Sequence, residues 1–168
     1  MLTVIRIINK ISEKLGVVLM WLPWILMLII VWEVSLRGLF GRPTVWAHEL
    51  SSMTFGALTM LSGAYTLRYR AHVNMDLIYM RFSLRGRALI DIITFPFFLL
   101  FCGTILWLGW EFALRSITAL EVSQTDWAPP IWPIKLALPV GAFLLLLQGL
   151  SNFLSNLYTL VTGEGVEE

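Results

Sequence analysis

The chain has few side chains that could do chemistry, and their positions decide which functions are worth considering. Glu49 is the candidate acid or base, because it lies inside the apolar stretch 44–67, where an ionisable residue is a functional hypothesis by default. The histidines are His48 and His72, and the single cysteine, Cys102, can form neither an internal disulfide nor a metal cluster. The sequence contains no glycine-rich phosphate loop and no nucleophile motif. We therefore predict no enzyme activity, no cofactor and no metal site.

The composition predicts the environment in which these residues work. Of the 168 residues, 58% are hydrophobic and 14% are charged, and the mean hydropathy is +0.78. Soluble domains contain about 45–50% apolar and about 25% charged residues. The net charge of +1 gives no reason to expect a nucleic acid partner. The composition is typical of a protein that crosses a membrane several times.

Four apolar stretches are long enough to cross a bilayer core, which takes about 20 residues for about 30 Å. Short polar links join them, and their backbone must be helical because lipid cannot hydrogen-bond it. We predict an all-α membrane protein in which residues 1–168 form a single integral membrane domain with four transmembrane helices. The predicted spans are residues 15–34, 45–67, 88–114 and 134–158.

The distribution of basic residues predicts the orientation of these spans. Four spans place both termini and the central loop on one side, which carries eight Lys and Arg residues against four on the other side. Basic residues accumulate on the cytoplasmic side, so both termini are predicted to be cytoplasmic. In this topology His48 lies near the outer surface and His72 near the inner surface, so the two cannot ligate one haem together.

Two segments combine charge with a helical apolar face and are predicted to lie on the membrane. They are residues 1–14 and the central loop, residues 68–87. Their basic side chains suit the headgroups of membrane lipid. We predict amphipathic interfacial helices at the N-terminus and in the central loop. On the N-terminal helix the predicted apolar face is Val4, Ile7, Ile8, Ile11 and Leu15, and the predicted polar face is Arg6, Asn9, Lys10, Glu13 and Lys14.

The position of Glu49 favours a structural junction over a transport site. With Thr44 as the predicted N-cap, Glu49 lies five residues into the second span, so that the helix dipole alone does not explain it. The nearest candidate partners on the same outer side are Arg37 and Arg42, and an ion pair with Arg37 would tie the first two spans together. We favour such a structural ion pair. The alternatives are a contact with another subunit and an ion or proton site, although transport carboxylates usually lie near the bilayer midplane.

Small residues follow Glu49 along one face of the predicted second span. Steps of three and four residues give Ser52, Gly56, Thr59, Gly63 and Thr66. Such a stripe lets another helix approach closely. In the fourth span Gln148, Asn152 and Ser155 share a face, which is typical of hydrogen bonds between helices rather than of a substrate path.

A set of residues along the spans follows, in the same order, the pattern of a known protein family. The stretch WEVSLRGLFGRPTVWAHELSSMTFGALTMLSGAYTLRYRAHVNMDLI places an Arg after the first span, a Trp and a Glu at the start of the second, and Ala-His-Val followed by an Asp at the entry to the central loop. With the tail APPIWPIKLALPVGAFLLLLQGL, it resembles the small membrane subunits of tripartite ATP-independent periplasmic (TRAP) transporters. The matching residues are Arg37, Pro43, Trp46, Glu49, Gly63, Ala71, His72, Val73, Asp76, Pro130, Trp132, Pro139 and Gly141.

The resemblance implies partners and a role. Such subunits pair with a large multi-helix membrane subunit that carries the solute and sodium, while a periplasmic binding protein delivers the solute, typically a carboxylate. The chain would then be a fixed scaffold in the bacterial inner membrane, without direct contact with the solute. Its structural or subunit-interface residues would be Arg37, Trp46, Glu49, Ser52, Gly56, Gly63, His72 and Asp76.

Two other functions stay open at this point. One is a self-contained, homodimeric four-helix transporter that couples uptake of a small molecule to protons, with Glu49 or Glu33 as the proton carrier. The other is a haem-binding membrane anchor. The outer loop, residues 121–133, is either an ordinary interfacial turn or a contact for the binding protein.

Overall fold

The chain forms six helices in the part that the structure describes. The computed structural model describes residues 2–69 and 82–162, apart from the side chain of Leu84. The helices are α1, Leu2–Leu19; α2, Leu22–Phe40; α3, Ala47–Leu61; α4, Gly63–Arg68; α5, Leu84–Thr118; and α6, Trp132–Thr162. An isolated antiparallel bridge joins Val122 to Pro130 between α5 and α6. The predicted all-α class is confirmed.

Three helical stretches among the described residues are long and apolar enough to cross a membrane. They are Leu2–Phe40, Arg85–Thr118 and Trp132–Thr162. The first, third and fourth predicted spans fall within these stretches. The predicted second span falls on α3 and α4, which Ser62 separates into two helices that are each shorter than a bilayer core. A count of four spans therefore stays a prediction.

A helix break divides the first apolar run. α1 ends at Leu19 and α2 begins at Leu22, with Pro23 in its first turn. Proline lacks a backbone N–H and favours the first turn of a helix, so a new helix starts here. At its other end α2 stops at Gly41, whose φ of 61° and N–H bond to the Leu36 carbonyl form a left-handed cap. The predicted span 15–34 thus begins inside α1 and ends before α2 does.

α6 is the helix around which the others pack. It lies against α5 and also contacts α1, α3 and α4, whereas α2 lies mainly against α3. Two glycines of α6 make room for close neighbours. A Cβ atom on Gly141 would lie 2.2 Å from the Met60 carbonyl oxygen of α3, and one on Gly149 would lie 2.2 Å from a ring carbon of Phe98 in α5. Larger residues would keep these helices apart.

α1 confirms a helix at the N-terminus but corrects its predicted polar face. Val4, Ile7 and Ile11 are exposed on one side of the helix. Asn9 is only 9% exposed and bonds to α6, so its place on the predicted solvated face is wrong. An amide is readily buried where donors and acceptors meet it. The predicted interfacial helix of the central loop falls largely on residues 70–81, outside the described residues.

Candidate functional site

Glu33 joins α2 to the segment that precedes α3. Its Oε2 atom accepts hydrogen bonds from the Thr44 N–H, at 3.1 Å, and from the Thr44 hydroxyl, while its Oε1 atom accepts from Arg37 Nη2 at 2.8 Å. The Glu33 side chain is 13% exposed, against 65% for that of Arg37. A carboxylate with several donors forms strong, directional bonds. We call Glu33, Arg37 and Thr44 the α2–α3 junction. Sequence reasoning missed this junction, because a turn separates Glu33 and Arg37 in α2 from Thr44.

Arg37 does not form the predicted ion pair with Glu49. Its guanidinium bonds Glu33 one helical turn earlier in α2, a geometry that the helix itself supplies. Glu49 instead accepts a hydrogen bond from Thr125 Oγ1 at 2.5 Å. Thr125 lies in the segment between α5 and α6, which we call the α5–α6 loop. The predicted tie between the first two spans is therefore wrong, and Glu49 connects α3 to this loop.

The helix that carries Glu49 begins later than predicted. α3 begins at Ala47 with the half-buried Trp46 at its N-cap, and Thr44 is held by Glu33 instead of capping the helix. Glu49 therefore lies in the first turn. There the helix dipole stabilises a negative charge by about 0.3–1 kcal/mol. The predicted position beyond the reach of the dipole is wrong, and Glu49 has a structural explanation.

The predicted small-residue stripe divides between two sides of α3 and α4. A Cβ atom on Gly56 or on Gly63 would lie 3.4 Å from a side chain of α6, so both glycines face α6 at ordinary contact distance. Ser52 and Thr59 are exposed, and their hydroxyls donate to carbonyls of their own helix. A much closer approach occurs at Gly141 in α6, which the stripe does not reveal.

A buried cluster of neutral polar side chains joins α1 to α6. Ser12 Oγ donates to Gln148 Oε1 at 2.6 Å, and Asn9 Oδ1 accepts from Gln148 Nε2 and Ser151 Oγ, each at 3.0 Å. Gln148 is fully buried, and Ser12 and Ser151 are nearly so. Because these groups satisfy one another, their burial avoids the cost of unpaired donors and acceptors. We call these four residues the α1–α6 cluster.

α4 is attached to the α1–α6 cluster by Asn152 and Arg68. Asn152 accepts from Gln148 Nε2 at 3.1 Å and donates to a backbone carbonyl of α4 at 3.3 Å. Arg68 Nη1 donates to the Asn9 carbonyl at 2.6 Å and to Glu13 Oε2 at 3.1 Å. These contacts fix α1, α4 and α6 relative to one another.

Sequence reasoning found one half of this arrangement. The prediction that Gln148 and Asn152 form hydrogen bonds between helices is confirmed. It missed α1 as the partner, because Asn9 and Ser12 in an amphipathic segment fit a solvated face equally well. The available signal was weak: two uncharged polar residues, Asn9 and Ser12, lie one helical turn apart among the charged residues in the middle of the helix.

The α5–α6 loop is held where it meets α6. Lys135 Nζ donates to Glu121 Oε2 at 2.5 Å, and the Ile131 N–H donates to the Glu121 carbonyl at 2.9 Å. The Lys135 ammonium lowers the pKa of the Glu121 carboxyl. Leu120 and Ala128 have φ angles of 45° and 47°, in the left-handed region that side chains other than glycine rarely adopt. These bonds maintain a loop shape that its backbone would not prefer.

Comparison with known proteins decides the family. Residues 26–159 match the family model described as tripartite ATP-independent periplasmic transporters, DctQ component. The chain belongs to the DctQ family. The sialic acid TRAP transporter small permease protein SiaQ of Vibrio cholerae is 25% identical over 162 residues, which are 94% of this chain and 87% of that protein. The C4-dicarboxylate TRAP transporter small permease protein DctQ of Rhodobacter capsulatus is 32% identical over 111 residues, 66% of this chain and 47% of that protein.

Membership of the DctQ family confirms the resemblance drawn from the sequence. The family is one of transporter components and is not an enzyme class. Together with the long apolar helices, it indicates a multi-pass protein of the inner membrane. The DctQ match includes Gln148 but begins after α1, so the α1–α6 cluster links the matched region to a helix in front of it.

Among the predicted site residues, the structure brings Glu49 to the α5–α6 loop, with Trp46 at the start of the same helix. Arg37 lies at the α2–α3 junction. His72 and Asp76 fall outside the described residues, so their roles stay predictions.

Proposed function

We propose that the chain is the small scaffold subunit of a TRAP transporter, in which it binds a large multi-helix membrane subunit and does not itself carry the solute. The supporting observation is the bonding of buried polar side chains between α1 and α6, within the described part of the chain. Gln148, Ser12 and Ser151 bond across helices, and their groups satisfy one another. Side chains used in this way hold helices in fixed positions, as the stationary part of a transporter requires.

The names of the relatives support a solute class. One is named for sialic acid and the other for C4-dicarboxylates, and both kinds of solute carry carboxylates. We assign the chain to sodium-coupled uptake of a carboxylate-bearing solute, which a periplasmic binding protein delivers to the large subunit. In this role the small subunit needs neither a cofactor nor a catalytic residue.

Four spans in a single membrane domain, with both termini in the cytoplasm, suit this role. Ser62 has helical angles, its N–H bonds the Leu58 carbonyl at 3.0 Å, and its carbonyl accepts from the Thr66 N–H at 3.0 Å. Residues 47–68 thus run nearly as one helix of about 33 Å, which suffices for a core of about 30 Å. α1 would lie along the cytoplasmic boundary as an interfacial helix.

The predicted interface residues take two different parts in this proposal. One group joins the chain's own elements: Glu49 bonds the α5–α6 loop, and Gly56 and Gly63 face α6. Trp46 lies at the N-cap position of α3. Arg37 bonds Glu33 within the α2–α3 junction, and because its side chain is largely exposed it would also contact the large subunit, as would the exposed Ser52. His72 and Asp76 are assigned to the entry of the central loop on the strength of the family pattern.

Purification of the tagged chain from native membranes in mild detergent tests the proposal. We expect a one-to-one complex with a large membrane protein of many spans, measured by mass and stoichiometry. A reproducible homodimer without such a partner would contradict the proposal and favour the self-contained, proton-coupled transporter.

A second measurement addresses Glu49 directly. In the scaffold role, Glu49→Gln leaves the pH dependence of solute uptake unchanged, because the residue serves only to connect α3 to the α5–α6 loop. Glu111→Gln is the matched control, since Glu111 lies in the last two turns of α5 and its one ion pair among the described residues is with Arg115 in the same helix. Loss of pH dependence in Glu49→Gln alone would make Glu49 a proton carrier.

A further inference from the structure

α1 presents three strips along its length, and they differ in chemistry. One strip is buried against α4 and α6 and consists of Ile5, Ile8, Asn9, Ser12, Gly16 and Leu19. The second is apolar and exposed, and consists of Val4, Ile7, Ile11 and Val18. The third is cationic and exposed, and consists of Arg6, Lys10 and Lys14. An exposed apolar strip beside a cationic strip is typical of a helix that lies on a membrane surface.

The rotation of α1 about its own axis is fixed. Asn9 and Ser12 are held by the α1–α6 cluster. A Cβ atom on Gly16 would lie 2.0 Å from the Tyr65 ring, so the two helices meet closely there as well. The cationic strip therefore cannot turn toward α4 or α6.

The cations of this strip are not neutralised by the described part of the chain. They follow one another at four-residue intervals, so like charges are adjacent on one helix face and repel each other. Glu13, the acidic residue of α1, bonds Arg68 on α4 instead. Within residues 2–69 and 82–162, no ion pair involves Arg6, Lys10 or Lys14. An external anionic surface would relieve this repulsion.

α1 meets α4 near the end of α4. The Asn9 carbonyl of α1 accepts from Arg68, and a Cβ atom on Gly16 would lie against the Tyr65 ring. α4 ends at Arg68. In the topology proposed above, Arg68 ends the second span on the cytoplasmic side, which places α1 at the level of the lipid headgroups.

We propose that the cationic strip of α1 binds the headgroups of anionic phospholipids, while the exposed apolar strip lies among their acyl chains. Ammonium and guanidinium groups form charge-assisted hydrogen bonds with phosphate oxygens. A basic side chain near an anionic membrane surface raises affinity about fivefold. A zwitterionic lipid carries a phosphate without net negative charge, so the strip selects for net charge. The inference rests on the topology given in the proposed function, in which α1 lies along the cytoplasmic boundary, and not on the large subunit.

Native mass spectrometry of the purified full-length chain tests this proposal, with equal amounts of phosphatidylglycerol and phosphatidylcholine added in mild detergent. We expect the unaltered chain to bind phosphatidylglycerol preferentially, and the preference to weaken as salt is raised. The triple variant R6Q/K10Q/K14Q should lose preference on the order of 100-fold, at about fivefold per cation. The charge-conserving variant R6K/K10R/K14R should keep it.

Two controls distinguish an effect of the cationic strip from an effect of the overall positive charge and from an effect of misfolding. Arg42→Gln removes an exposed cation from the other end of the spans and should leave the lipid preference unchanged. Lys10→Gln alone should lower the preference for phosphatidylglycerol about fivefold. Its helix content and melting temperature should equal those of the unaltered chain. Equal binding of the two lipids by the unaltered chain overturns the proposal, as does an undiminished preference in the triple Gln variant. Because no large subunit is present, neither result bears on the scaffold role.

Discussion

The α1–α6 cluster and the α2–α3 junction both hold helices together, but with different chemistry. The cluster uses neutral amides and hydroxyls, and its Gln148 is fully buried. The junction uses a carboxylate and a guanidinium, and its Arg37 side chain is 65% exposed. All residues of α2 are described, and none of them is buried. A groove of about 390 Å³ lies between α2 and α3. α6 thus anchors a closely packed half of the chain, while α2 belongs to a half that is open to lipid or to a partner.

This difference follows from the cost of burying polar groups. A buried neutral amide is stable once its donors and acceptors are matched, whereas a buried charge carries a much larger desolvation cost. Charged contacts are therefore expected near helix ends and neutral ones deeper between helices. The comparison predicts that changes around α6 cost more stability than changes around α2.

The largest loss of stability is expected for Gly141→Leu. Its Cβ atom would lie 2.2 Å from the Met60 carbonyl oxygen, so α3 must move away from α6, at a cost of about 3 kcal/mol or more. The melting temperature in detergent measures this loss. Gly103→Leu is the matched control, because a Cβ atom on Gly103 meets nothing within 4 Å. Equal melting temperatures for the two variants would show that α6 is not the anchor.

A somewhat smaller loss is expected for Gln148→Leu. The change leaves the Ser12 hydroxyl without its acceptor between α1 and α6 and removes one of the two side-chain hydrogen bonds to Asn9 Oδ1, which together costs about 2–3 kcal/mol. The free energy of unfolding in detergent is the measurement. Thr104→Val serves as control, since the exposed Thr104 hydroxyl bonds only a carbonyl of its own helix. The double variant Ser12→Ala, Gln148→Leu should lose less than the sum of the two single changes. Strict additivity would argue against a coupled cluster.

A local effect is expected for Glu33→Gln at the α2–α3 junction. The neutral amide weakens the contacts with Thr44 and Arg37, so hydrogen exchange of the Thr44 N–H should accelerate about tenfold while the melting temperature changes little. Glu111→Gln is the control, because it removes the same type of i,i+4 pair, with Arg115, and within residues 2–69 and 82–162 Glu111 bonds no second segment. If exchange around Thr44 stayed slow in Glu33→Gln, the junction would not depend on the charge.

The smallest effect is expected from pH at the α5–α6 loop. Lys135 lowers the pKa of Glu121 in the folded chain below its usual value of 4.5, so the stabilisation is present above that pH and is lost as the pH falls through the lower, folded-state pKa. A spin label attached at Gln124→Cys, in the exposed part of the loop, should become more mobile only in that acidic range. Lys135→Met should remove the transition. A transition near pH 7, or one that persists in Lys135→Met, would assign the change to another group.

Much of the fold could be predicted because hydropathy and length determine where helices lie in lipid. The apolar runs around α5 and α6 were assigned correctly, and the polar face of α6 indicated bonds between helices. Helix breaks were missed because they depend on single residues: Pro23 starts α2 inside a continuous apolar run.

The contacts of the candidate site were harder to predict. Thr44 has the residue type of an N-cap, but a glutamate in another helix holds it, and α3 starts at Ala47. Asn9 has the type of a solvated residue, but its partners are far away in the sequence. In both cases a tertiary contact overrides a local preference, and one sequence contains no direct signal for such a contact.

The central position of α6 has a consequence for the order of assembly during synthesis. Ser12 and Gln148 are separated by 136 positions, and Gln148 lies in the final helix of the described residues. At about 5–20 residues per second, the ribosome reaches Gln148 roughly 7–27 s after Ser12. Until then the buried strip of α1 lacks the helix that supplies its polar partners. The nascent chain should therefore remain sensitive to proteolysis near its N-terminus until α6 has entered the membrane.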